Sequence, residues 1–98
     1  MNNLNSLVLE GTLEGNATMN DKTANAIIAV NCSYLNSKGE EVTETSHFTI
    51  EAYSKLADLL LKFGKSGRGI RLVGKLKQVN DSIIIVTEHI EFKPDSNN

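Results

Sequence analysis

Ser46 to Lys77 reads SHFTIEAYSKLADLLLKFGKSGRGIRLVGKLK, and this stretch decides the fold. It opens on alternation. Phe48, Ile50 and Ala52 share one parity and His47, Thr49, Glu51 and Tyr53 the other, as in a strand with one face on a core. The spacing then changes. Leu56, Leu59, Leu60 and Phe63 recur at helical intervals, with Ser54 placed as an N-cap and Gly64 as a stop. Lys65–Gly69, KSGRG, is a turn. Alternation returns from Gly69 to Lys77, with Ile70, Leu72 and Leu76 inward and Arg71, Val73, Lys75 and Lys77 outward. The same stretch concentrates charge. Lys55 to Lys77 holds seven basic residues and one acid, Asp58, while the rest of the chain holds three basic residues and eleven acids. The net charge is only −2, but local clustering, not the total, decides whether a polyanion can bind.

Working outward, Leu4 to Glu14 reads as a first strand, with Leu7, Leu9 and Leu13 on one side. Gly11 in its middle predicts a bend or bulge. GNATMNDKT, from Gly15, is a polar turn region. Ala24 to Tyr34 is a second strand. Ile28 and Val30 on one side and Ile27 and Ala29 on the other predict burial on two faces. Val42 to Tyr53 is the third strand and Ser82 to Phe92 the fifth, after a tight turn at Val79 to Asp81. Three strands, a helix and two strands predict an all-β protein with one short helix, the five-stranded OB-fold barrel. The domain is expected over residues 1–93, with 94–98 a short polar end.

Ninety-eight residues make one domain with a small core, which assembly into oligomers would support. No apolar run reaches the roughly 18 residues of a membrane span, and MNNLNSL lacks the features of a signal peptide. The expectation is a cytoplasmic protein without membrane contact. The single cysteine, Cys32, is read as a small packing residue in a strand. His47 and His89 are far apart in sequence, and His89 sits between Glu88 and Glu91 as a salt-linked surface residue. GxSxG, P-loop and HExxH motifs are absent from the sequence. The expectation is no enzyme, no metal and no cofactor.

The residues resemble the bacterial single-stranded DNA-binding protein family. NSLVLEGTLEGNAT looks like its opening strand, IAVNCSY is similar to its second, and Lys38-Gly39-Glu40 to its Gly-Glu loop. Tyr53-Ser54-Lys55-Leu56-Ala57, an apolar helix, a basic glycine turn and Ile70 to Leu76 follow in the family's order. VTEHIEF resembles its last strand. The resemblance spans about Asn5 to Phe92. It implies single-stranded DNA as partner, with bases stacked on Tyr34, His47 and Tyr53 and phosphates held by Lys55 and Lys77; Arg71 and Lys75 alternate with Lys77 along the fourth strand, project to the same side and are expected to join them on the phosphates. It also implies a homo-oligomer, tetramer or dimer, working with replication proteins in DNA replication, repair or recombination. Three features depart from the family: there is no Trp, the hairpin after the fourth strand is cut to QVNDS, and the acidic, aromatic tail is missing. Glu51, between His47 and Tyr53, would repel phosphate. These departures support an alternative, a protein-interaction module on the same barrel, such as a primosomal replication accessory protein.

Overall fold

The structure, a computed structural model, describes residues 1–94. Five strands and one helix follow in order: β1 (Leu7–Asn20), β2 (Thr23–Leu35), β3 (Glu41–Tyr53), α1 (Ser54–Phe63), β4 (Gly69–Val79) and β5 (Ser82–Phe92). The strands close into a barrel in the order β1-β2-β3-β5-β4. All neighbours are antiparallel except β3 and β5, which run parallel through Ile50↔Ile85 and Glu51↔Val86. Closure leaves the barrel itself no free sheet edge.

One strand makes closure possible. The first half of β1 pairs with β4, from Leu7↔Gly74 to Thr12↔Gly69, and the second half pairs with β2 from Thr12↔Ala29 onward. Gly11 sits where the pairing changes hands. A Cβ there would overlap the Ala29 carbonyl oxygen, so the strands approach closely because position 11 has no side chain. This is the bend the sequence predicts. The bulge lies further on, where the β1–β2 register shifts between Glu14 and Thr18. Gly15, at positive φ (79°), turns the chain there. Two hydrogen bonds to Ser66 pin the bulge: Gly15 N–H donates to Ser66 Oγ (3.2 Å), and Ser66 N–H donates to Asn16 Oδ1 (2.8 Å).

The core follows parity. Leu13, Ala24, Ala26, Ile28, Ile50, Ala52, Ile70, Leu72, Ile85 and Ile90 meet inside, with Leu7 and Leu9 packed against them. Helix α1 plugs one end of the barrel with Ala57 and Leu60, both buried. Each fully buried Leu or Ile contributes roughly 1.5–3 kcal/mol of apolar transfer.

Several expectations need correction. β1 does not end at Glu14 but runs to Asn20, so most of the region read as a polar turn is strand. β2 is buried on one face only, since Ile27 remains 42% exposed. Cys32 is exposed, not packed, because β2 and β3 stay paired as far as Leu35↔Glu41 and form an arm beyond the barrel. Phe48 and Leu76 have inward parity but are 39% and 50% exposed. Phe48 adjoins the start of that arm, and Leu76 lies past a register shift between Val73 and Gly74. Ser54 is not the N-cap. Tyr53 holds that place in extended conformation, without a side-chain cap, and Ser54 opens the helix at φ 55°.

Candidate nucleic-acid interface

The β2–β3 register sorts the predicted stacking residues onto two faces. Tyr53 pairs with Thr23, Glu51 with Asn25, Thr49 with Ile27 and His47 with Ala29. Alternation sets these residues on the outer face of the sheet. Tyr34 pairs with Val42 and has the opposite parity, that of Ile28 and Phe48. The structure therefore brings His47 and Tyr53 together on one face and leaves Tyr34 on the other side of the arm, 45% exposed.

Tyr53 is 40% exposed. Its hydroxyl donates to Glu51 Oε1 at 2.6 Å. That hydrogen bond, with some burial, holds the phenol above its usual pKa. Glu51 thus has a local task in fixing the ring. His47 Nδ1 lies 2.7 Å from Glu14 Oε1. An open groove of about 350 Å³ lies on β1, β2 and β3, with Ala26 and Ile27 as apolar lining and Glu14, Asn16, Thr18, Asn25 and Thr49 as polar lining; Glu14 is the partner of His47. It lies at the β1 bulge, in keeping with the use of bulges to re-aim side chains beside functional sites.

The predicted cations divide. Lys55, Lys75 and Lys77 are exposed and make no ion pair among the described residues. Arg71 does not share their freedom. Its Nη2 and Nε reach Glu10 Oε2 at 2.9 and 3.2 Å, and Glu91 stands 4.0 Å away. Hydrogen bonds from Lys93 first, then Arg71, lower the pKa of Glu10 below the usual carboxylate range. Across the strands, Glu51 neighbours Val86 and Val86 neighbours Lys75. The cations of β4 are therefore separated from Tyr53 by a carboxylate and an apolar residue.

Sequence reading missed a second group. Phe63 and Phe92 pack with centroids 5.5 Å apart. Lys62 Nζ lies 5.3 Å from the Phe63 centroid and Arg68 Cζ lies 5.5 Å from that of Phe92. The sequence signal was the basic run itself, but Phe92 and Lys93 join it only through the β4–β5 pairing. Among the described residues, no three His, Cys, Asp or Glu gather as a metal site, and no helix is long and apolar enough to cross a membrane.

No family model and no curated protein sequence matches the chain. Solved structures do match it. A Plasmodium falciparum SSB in complex with ssDNA aligns at TM-score 0.83 and 22% identity, over 95% of this chain and 97% of that one. A deletion mutant of the single-stranded DNA binding protein from Thermus aquaticus aligns at TM-score 0.82 and 16% identity, over 95% of this chain and 52% of that one. The small single-stranded DNA-binding protein from Streptomyces coelicolor aligns at TM-score 0.73 and 17% identity, over 96% of each chain. The chain has the OB-fold barrel found in these single-stranded DNA-binding proteins.

Proposed function

We propose that the protein binds single-stranded DNA, without base-sequence specificity and without catalysis. One observation carries this reading: an exposed tyrosine, Tyr53, is fixed on the outer face of a barrel that aligns end to end with an SSB solved on ssDNA. Tyr53 and His47 offer ring faces on one surface, and Tyr34 offers a separate contact on the arm. Exposed Lys55, Lys75 and Lys77 neutralise phosphates, and Arg71 joins them by exchanging a carboxylate partner for a phosphate. The same reading extends to a cytoplasmic role in replication, repair or recombination beside replication proteins. It extends also to a homo-oligomer, tetramer or dimer, in which a second copy covers exposed apolar residues such as Val8 (68% exposed).

The chain has two tyrosines and no tryptophan, so its own emission reports on stacking. Added oligo-dT is expected to quench tyrosine fluorescence. Tyr53→Ala should remove most of the quenching, and its persistence there would move the stacking site to Tyr34. The protein-interaction reading has one observation in its favour. Leu76, Val79 and Ile83 leave an exposed apolar tip on the β4–β5 hairpin. An absence of quenching together with an absence of DNA binding would support that reading.

A further inference from the structure

The end of the barrel closed by α1 gathers charge that the outer-face platform does not use. Lys62 caps the Phe63 ring, Arg68 lies on the Phe92 ring, and the two rings touch. Arg68 Nε donates to the Lys93 carbonyl at 2.8 Å, and the Lys93 side chain lies over Gly69. Lys65 stands in the turn between, where its carbonyl accepts from Arg68 N–H at 3.0 Å. Four cations therefore share one end of the molecule. The acids beside them are Glu10, paired with Lys93 at 2.9 Å, and Asp58, one helical turn before Lys62. Counting both acids, the described residues of this end carry +2. Among the described residues this end is positive, and Lys62 and Lys65 have no ion partner among them.

We propose that this end is a second phosphate-binding surface for the same single strand, engaged after the strand leaves Tyr53 and Lys55. The inference rests on the single-strand reading above. Two arguments select this occupant. The first is continuity. Tyr53 and Lys55 stand at the start of α1 and Lys62 and Phe63 at its end, and ten residues of helix span about 15 Å. Lys55 and Lys62, seven residues apart, fall on the same side of α1. A strand leaving the platform along this side passes from one lysine to the other. The second is chemistry. A guanidinium beside an aromatic ring, its Cζ 5.5 Å from the centroid, offers a plane on which a base can stack, and ammonium groups around it suit phosphates. The surface extends the bound length and adds no base preference.

The test compares two strand lengths within the roughly 4–16 nucleotides bound per OB-fold. Affinity for oligo-dT of about 8 and about 16 nucleotides is measured across salt concentrations for the full chain and for Lys62→Ala/Lys65→Ala. Both lysines are exposed and without an ion partner among the described residues, so the fold should be kept; Arg68→Lys, which keeps the charge and loses the planar group, is the second variant. Each phosphate contact contributes about 0.7 to the slope of log affinity against log salt. The double variant should therefore flatten the slope by about 1.4 on the long strand and leave the short strand unchanged. Arg68→Lys should preserve the slope and weaken long-strand binding. Equal slopes for variant and parent on the long strand would overturn the inference while leaving the single-strand reading intact. Equal loss on both lengths would also overturn it, because the lysines would then act on the platform. Failure of the parent protein to bind either strand would overturn the single-strand reading itself.

Discussion

Tyr53 is where the functional account is most exposed at the scale of one residue. If its ring stacks a base, Tyr53→Ala should weaken oligo-dT binding by about 1–3 kcal/mol, roughly 5- to 150-fold, with the thermal transition little moved. Tyr53→Phe keeps the ring face and loses only the bond to Glu51, so it should bind within a few-fold of the parent. Equal weakening by both variants would assign the effect to the hydroxyl, not to stacking. Acid stability makes a second residue-scale prediction. Glu10 is held ionised by Lys93 and Arg71. A carboxyl whose pKa is lowered by folding adds stability above its unfolded pKa, and that stability is lost as pH falls through the folded value. Glu10→Gln should accordingly flatten the acid limb of a melting-temperature profile. A parallel profile in the variant would deny the linkage. The sequence showed which residue types were outward but not their partners. Glu10 for Arg71 and Glu14 for His47 come from β1, and only strand register reveals them.

Elements were legible where their chemistry was unambiguous. The expected spans of β5 and of the turn before it agree with the structure, and β3 and α1 agree within about one residue at each end. β1 was misread because GNATMN has turn composition, yet Thr18↔Asn25 and Met19↔Ala24 pair as strand. The real turn is only Asp21 and Lys22, with Asp21 at positive φ (61°). The start of α1 was misread for a related reason. Ser is a common cap, but here Ser54 adopts φ 55°, a conformation that costs an L-residue about 1–2 kcal/mol and glycine little. Ser54→Gly is expected to raise the melting temperature, and a lower one would show that the serine side chain contributes more than the strain costs. Gly11→Ala should act in the opposite direction. Its Cβ has no room against the Ala29 carbonyl, and overpacking of this kind costs about 1–3 kcal/mol. Chemical denaturation would register it, and an unchanged midpoint would contradict the close approach of β1 and β2.

For the whole molecule, alternation, one helix and the order of elements were enough to predict a closed barrel. Charge was harder to place. The seven basic residues of one stretch spread over the fold: Lys55 at the start of α1, Lys75 and Lys77 on β4, Arg71 among carboxylates, and Lys62, Lys65 and Arg68 at the plugged end beside Lys93. The sequence separates the helix-end and turn cations from those of β4, but the carboxylates around Arg71 and the place of Phe92 and Lys93 beside Arg68 come only from strand pairing. The central claim is that this barrel holds a single strand by stacking and phosphate contacts despite its net negative charge. The most direct measurement is fluorescence anisotropy of labelled oligo-dT titrated with the full chain at several salt concentrations, with unlabelled duplex as competitor. The account predicts saturable binding that weakens steeply as salt rises and resists duplex competition. An absence of binding at low salt, or equal competition by duplex, would contradict it.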